Sequence, residues 1–413
     1  MGFGKGGNGM DGVLWNAQVW LDGRFDRGSV FLRGGAVERI SPPGPNREAG
    51  AIDCSGYHVF PGFTDAHVHL REPGFSEKET IGSGTAAAAR GGFSAVCAMP
   101  NLHPVPDGAE SLETELALIR DQARVLVKPF GALTRGQKGK ELADLAGMAP
   151  RAAGFSDDGF GVQDAGLMRE AMAEAARLSR VVAAHCEDGR FPAEDPQSEW
   201  RQLARDLELA AKTGVKYHAC HLSCAQSVAL ARSAKRGGLD VTCETAPHYL
   251  LLDDGQVRDE GRFKMNPPIR SQADRDALRE GLADGTVDLV ATDHAPHTEQ
   301  EKSGGFRNAK NGVVGLETAF PLLYRHLVQG GLLPLARLVN AMAGAPNRRF
   351  GIPGGLAAGQ PASLSVWDLA ARDTVDPARF LSRGRSTPFE GWQTEGRCLL
   401  TLSLGRIAYR EGI

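Results

Sequence analysis

Histidines and aspartates recur at the ends of apolar runs along this sequence, and these are side chains that hold divalent cations. The run HVFPGFTDAHVHL ends on Asp65, His67 and His69, with Arg71 just beyond. Later runs end on Asn101, on Asp157-Asp158, on His185 with Glu187 and Asp188, on His218 and His221, and on Asp293, His294 and His297. His67 and His69 lie two apart, so on a strand both rings face one side. His185 and His221 each close an apolar strand. Asp293 follows VDLVAT, where a carboxylate is costly unless it is paired or metal-bound. Of the pair Asp157-Asp158 only one faces the same way as the histidines; Asp158 is the expected ligand with Asp157 the alternative, and a plain Asp-Asp-Gly turn is the remaining reading.

Four histidines and two aspartates suffice for one or two cations, and imidazole with carboxylate suits zinc first, then cobalt or manganese. Close divalent ions lower the pKa of a shared water, so hydroxide forms near neutral pH and attacks a polarised carbonyl. Asp293 is positioned to take the proton and return it to a leaving nitrogen. The reaction class is metal-assisted hydrolysis of a C–N bond, or its reverse. Arg71, two residues past His69, offers a bidentate clamp for a carboxylate; its alternative is a surface salt bridge with Glu72 or Glu77. Asn101 and His297 add donors, and Asn266 in KMNPPIR suits a planar ring or ureide. The cluster His218, Cys220, His221 and Cys224 lacks the closed spacing of a structural zinc site, because Cys220 points to the strand face opposite His221. His58, His103 and His326 have no ligand context.

These residues need a scaffold that brings eight strand ends together. Eight short apolar runs lie between Tyr57 and Phe350, separated by helix-like segments that stop near Gly or charged turns. Eight β-α units in series predict α/β architecture with a closed parallel (β/α)8 barrel, whose site lies at the C-terminal strand ends. A doubly wound open sheet is the alternative, but no GxGxxG follows the first run. Both termini are β-rich and share a texture, which predicts one small β domain built from the two ends. The expected division is a flexible tail over 1–12, the β domain over 13–56 plus 355–413, and the barrel over 57–354. Met10 is an alternative start.

The chain has 413 residues, 42% hydrophobic and 23% charged, with a formal net charge of -3, which excludes a disordered or collagen-like chain. Nucleic-acid binding by a general basic field is not expected. No apolar run reaches the roughly 18 residues of a membrane span, and no signal-peptide core is present, so a cytoplasmic protein is expected. The seven scattered cysteines suit reduced, buried thiols.

The motifs DAHVHLREPG, AMPN, GFSDDG, AHCED, HACHLS, KMNPPIR, ATDHAPH and GVVGLETAFPL together resemble the dihydroorotases of the amidohydrolase superfamily, of the bacterial long-chain type. The resemblance implies a (β/α)8 barrel with a flanking β-sandwich and a zinc centre. It also implies reversible cyclisation of N-carbamoyl-L-aspartate to (S)-dihydroorotate in de novo pyrimidine synthesis. Carried over by position, His67 and His69 bind one zinc, His185 and His221 the other, Asp158 bridges, and Asp293 is ligand and general base. Arg71, Asn101, Asn266 and His297 would contact substrate, as would His69, with Asn311 and Gly312 contributing from the loop before GVVGLET. Hydantoinases and allantoinases bridge their metals with a carboxylated lysine; here GFSDDG occupies that strand end, which favours dihydroorotase. The segment from Cys186 to Trp200 is shorter than the family's usual one, and FRNAKNG is unusual. Expected partners are the small-molecule substrate, a second copy of the chain and an aspartate transcarbamoylase. The competing readings are a related cyclic amidase acting on hydantoin or allantoin, and a silent scaffold for a transcarbamoylase.

Overall fold

The computed structural model describes residues 9–44, 47 and 49–413. Strands β1 (Gly12–Leu21), β2 (Arg24–Arg33), β3 (Ala36–Ser41), β4 (Ile52–Asp53) and β5 (His58–Pro61) come first. Eight short strands follow: β6 (Phe63–Val68), β7 (Phe93–Ala98), β8 (Leu126–Pro129), β9 (Gly154–Phe155), β10 (Val181–Ala184), β11 (Lys216–Ala219), β12 (Val241–Thr245) and β13 (Leu289–Val290). The chain ends with β14 (Leu364–Thr374), β15 (Gln393–Ser403) and β16 (Arg406–Arg410).

The two ends of the sequence meet in one eight-stranded sheet of order β16-β15-β14-β5-β1-β2-β3, with β4 beside β1. The turn between β1 and β2 is Asp22-Gly23, both at positive φ (48° and 85°), the conformation that matches the twist of a two-residue hairpin. Alternate residues from six of its strands share one apolar cluster, including Leu14, Val30, Val37, Val59, Val366 and Leu400.

The eight expected runs each contain one of the strands β6 to β13. They pair in parallel as a three-stranded arc, β6-β7-β8, and a five-stranded arc, β9 to β13. Single parallel bridges, Gly131 to Phe155 and Val68 to His294, link the arcs at both ends. Every residue of β6, β7 and β10 is buried, as continuous apolar parallel strands covered on both faces must be. Small and aromatic side chains fill the space between the arcs, among them Ala66, Ala95, Cys97, Phe130, Ala183 and Phe350. Helices pack outside. Gln197–Thr213, for example, buries Leu203, Leu207 and Ala210 on one face and stops at Gly214, whose φ of 68° suits glycine.

Three boundaries differ from expectation. HVFPGFTDAHVHL is not one strand: it breaks at Gly62, whose N–H donates to Ser363 O at 2.9 Å. Its first half, β5, pairs with β1 and β14, so the terminal sheet extends past residue 57. A Cβ on residue 62 would lie 2.3 Å from Ser94 Oγ, so the crossing between the two units is too tight for a side chain. The expected tail over 1–12 is not free at its end: Met10 N–H donates to Gly405 O at 2.7 Å, and Gly12 opens β1. Residues 1–8 lie outside the described residues. Between β14 and β15 the chain leaves the sheet and packs on the loops that follow the parallel strands, where Glu317 accepts from Leu381 N–H at 2.8 Å and Ser382 Oγ donates to Glu79. All seven cysteines are unpaired and buried, as expected. No helix of the described residues is long and apolar enough to cross a membrane.

Candidate metal centre

The C-terminal ends of the eight parallel strands converge, and the expected ligands converge with them. Beyond Val68 the first strand is tied to the eighth, His69 N–H donating to His294 O at 2.8 Å, so His67 and His69 present their rings beside Asp293. His69 Nε2 lies 3.2 Å and His67 Nε2 3.6 Å from Asp293 Oδ1. Asp158 touches all four imidazoles. Its Oδ1 is 3.3 Å from His67 Nε2, 3.5 Å from His221 Nε2 and 3.8 Å from His185 Nδ1, and its Oδ2 is 3.5 Å from His69 Nε2. His185 Nδ1 and His221 Nε2 are 3.0 Å apart.

Asp157 turns away. Its carboxylate accepts Leu133 N–H at 2.8 Å and Thr134 N–H at 3.1 Å, and also the Thr134 hydroxyl, which fixes the loop after β8. Burial pushes Asp157 up to about 6 against these hydrogen bonds. Asp293 goes the other way. Burial raises it, but a hydrogen bond from His69 and the charges of His67, His69 and His221 hold its carboxyl down at about 2. His221 and Asp293 have φ of 33° and 48°, in the left-handed region, as does Arg71 at 62°. Three such residues without glycine at one site indicate backbone held in a costly conformation by its surroundings.

The donor set fits a divalent cation. His67 Nε2 and Asp158 Oδ1 are buried without a hydrogen-bond partner among the described residues, although they face each other. Single ligand atoms of His67, Asp158 and His221 lie within 4.8 Å of one another, as do those of His67, His69 and Asp293. Buried polar atoms that converge without bonding each other are ordinarily satisfied by something between them.

Glu244, on β12, was not singled out from the sequence. It is fully buried, with Oε1 2.9 Å from His67 Nδ1 and Oε2 3.0 Å from His218 Nε2. Burial opposes its ionisation, yet the charge and hydrogen bond of His218, with those of His67, hold its carboxyl well below the usual range. The carboxylate therefore accepts a hydrogen bond from His67 Nδ1–H, which leaves the Nε2 lone pair free to ligate a cation. A carboxylate inside the buried run VTCET was the available signal, by the same logic that marks Asp293. Glu244→Gln is expected to weaken metal binding about 10–100-fold, measured by competition with a chromophoric chelator. Glu187 was also passed over as a site residue; its Oε2 is 2.7 Å from His185 Nε2. The structural-zinc alternative does not assemble, because His218 faces Glu244 and Cys224 Sγ faces Glu199 at 3.4 Å and Ser227 at 3.2 Å. His58 packs edge-on against Phe25 and His326 against Trp392, away from the centre.

On the far side of the ligands lies a cavity of about 340 Å³. It is lined by every expected substrate contact: His69, Arg71, Asn101, Asn266, His297, Asn311 and Gly312. Arg71 is not salt-bridged to Glu72 or Glu77; its Nε donates to Pro296 O at 3.1 Å, and Nη2 is 3.3 Å from His297 Nε2. Burial, together with Arg71, pushes His297 down to about 4. Asn101 donates to Asp158 O at 2.6 Å, while its own Oδ1 is buried without a partner among the described residues. Asn266 donates to Glu187 Oε2 at 2.7 Å. Asn311 O lies 2.8 Å from His297 Nε2. At Gly312, φ is 133° and a Cβ would meet Ala295 O at 2.5 Å, so glycine is required. Phe160, which the sequence did not mark, stands 64% exposed at the rim.

A histidine–aspartate cluster that could hold a divalent cation, at the C-terminal ends of parallel β-α units, is an arrangement suited to metal-assisted hydrolysis. Solved structures agree on the fold: an L-hydantoinase from Arthrobacter aurescens superposes with a TM-score of 0.89 at 26% identity, covering 98% of this chain and 97% of that one. A dihydropyrimidinase from Brevibacillus agri, at 23% identity, gives a TM-score of 0.86 over 97% of this chain and 95% of its own. Residues 56–224 match the family model described as dihydro-orotase-like. Curated dihydroorotases from Geobacillus sp. strain WCH70 and Geobacillus kaustophilus are 45% and 46% identical, each over 95% of this chain, covering 96% and 99% of their own lengths. The chain belongs to the dihydroorotase family.

Proposed function

We propose that the protein is a dihydroorotase, interconverting (S)-dihydroorotate and N-carbamoyl-L-aspartate in pyrimidine synthesis. The observation that carries this reading is a guanidinium, Arg71, in the same cavity as Asp158 and Asp293. A substrate with both a ring amide and a carboxylate matches that pairing.

His67, His69, His185, His221, Asp158 and Asp293 would hold one or two zinc ions; imidazole with carboxylate is the supporting chemistry, and the Cys220 thiol beside His67 is pushed up to about 12 by burial, which disfavours the thiolate. Bound there, the cation supplies a Lewis acid for the amide carbonyl and lowers the pKa of water. Asp293 accepts the proton of the attacking water and delivers it to the departing ring nitrogen. Arg71 grips the carboxylate, and Asn101, Asn266, His297 and the backbone at Asn311 and Gly312 hold the ring and its ureide edge. These contacts freeze the substrate's orientation before the attack.

We read the two arcs as one closed (β/α)8 barrel, supported by the bridges at both seams, and the terminal sheet as a sandwich curled over its own apolar face. The domains would then be 12–61 with 355–413, less the segment between β14 and β15, and the barrel from Phe63. A cytoplasmic location fits the reduced thiols. Association with a second copy or with an aspartate transcarbamoylase is tested by light scattering of the purified chain with and without that partner.

Chelation is expected to abolish dihydroorotate hydrolysis, and one or two equivalents of zinc to restore it. Undiminished turnover after chelation, with no metal found by elemental analysis, would refute the reading. A second reading, a hydantoin-cleaving cyclic amidase, is favoured by the fold match to the L-hydantoinase. It predicts turnover of hydantoin and none of dihydroorotate in the same assay. A silent scaffold is disfavoured by the clustering of all six ligand residues.

A further inference from the structure

The short helix Glu299–Lys302 directly follows His297 and is closed at its start by Thr298, which accepts Glu301 N–H at 3.2 Å. Its last two side chains reach in different directions. Glu301 Oε2 lies 2.9 Å from His297 Nδ1, while its Oε1 holds Lys78 Nζ at 2.8 Å. The Lys302 ammonium donates to three backbone carbonyls: Lys264 O at 3.0 Å, Lys310 O at 2.6 Å and Gly312 O at 2.7 Å. Three donors thus meet three acceptors, and among the described residues Lys302 makes no ion pair. The backbone adds one bond between these loops, Gly312 N–H donating to Lys264 O at 3.0 Å, and one to the helix, Lys310 N–H donating to Glu301 O at 2.9 Å.

The three carbonyls belong to two separate stretches of the cavity wall. Lys264 is two residues before Asn266, and Lys310 and Gly312 flank Asn311. We infer that Glu301 and Lys302 are positioning residues which together set the wall of the cavity facing the metal ligands: Lys302 fixes the loops presenting Asn266, Asn311 and Gly312, and Glu301 fixes His297. What that wall binds rests on the dihydroorotase reading; that the pair holds it does not. Desolvation by burial, with repulsion from Lys264, pushes Lys302 down to about 8, in keeping with an ammonium embedded among carbonyls rather than in water. Neither side chain reaches the metal ligands, so their loss separates substrate placement from metal binding.

Lys302→Met keeps the aliphatic stem and removes the three donors. The expected result is a KM for dihydroorotate at least about tenfold higher, kcat changed less than KM, and metal per chain unaltered, because the loosened wall loses binding contacts while the metal ligands stay in place. Hydrogen–deuterium exchange at the Lys310 and Gly312 amides should speed up at least about tenfold. Lys302→Arg should fall between parent and Lys302→Met in both readouts, and Glu301→Gln should raise KM without altering exchange at Gly312. Unchanged amide exchange in Lys302→Met overturns the inference, as does a loss of bound metal in step with kcat. If Lys302→Met does not fold, the Lys302→Arg exchange rates decide in the same way. A parent chain that binds metal but does not turn over dihydroorotate counts against the proposed activity alone, since the exchange measurement still decides the role of the pair.

Discussion

Asp293→Asn is expected to lower kcat for dihydroorotate by about a thousandfold, within the range of general acid–base contributions. That factor corresponds to about 4 kcal/mol of transition-state stabilisation. Asparagine keeps the size and one carbonyl oxygen but cannot accept a proton at neutral pH. The wild-type carboxyl is held ionised by His69 and the neighbouring imidazoles, so it is a ready acceptor before substrate arrives. Its φ of 48° follows a two-residue strand, and asparagine tolerates that region well, so the backbone should not change. Initial rates with metal content measured on the same sample provide the check. A kcat within tenfold of the parent at equal metal loading would remove Asp293 from the proton-transfer role.

Arg71→Ala is expected to reduce kcat/KM for dihydroorotate by about a hundred- to a thousandfold, the usual cost of leaving a desolvated charge without its partner. A hydantoin without a carboxylate should be affected far less. Arg71→Lys should recover only part of the loss, because an ammonium cannot make the paired, planar contact of a guanidinium. The comparison across two substrates separates the clamp from general damage to Pro296 and His297, which Arg71 also touches. Equal losses on both substrates would mean that Arg71 supports the wall rather than the carboxylate.

The expected ligands are legible because a barrel imposes a rule on the sequence. Side chains at the ends of parallel strands share one face, so His67, His69, His185, His221 and Asp293 announce themselves as polar residues closing apolar runs. The same rule breaks down where one strand carries two candidates. Asp157 and Asp158 are indistinguishable as residue types; the loop after β8 decides between them, by offering Leu133 and Thr134 donors to the first and leaving the second facing four imidazoles. Glu244 shows the opposite failure. It lies one residue from the end of β12, but its pairing with His67, 177 residues away, exists only once the strands are side by side.

The split of HVFPGFTDAHVHL has a similar cause. Both halves are apolar and extended, and nothing local distinguishes a strand that joins β1 and β14 from one that joins β7. The break is set by close packing at Gly62 against Ser94 and Ser363, residues distant in sequence.

By itself the sequence determined the number of β-α units, the residue types at their ends and the kind of chemistry they support, because strand alternation and apolar periodicity are local properties of the chain. Tertiary structure alone decided which aspartate meets the histidines, which carboxylate sets the proton on His67, and which lysine holds the substrate wall. Each of those depends on hydrogen-bond partners supplied by distant segments, and local propensity carries no information about what a buried polar atom will find opposite it.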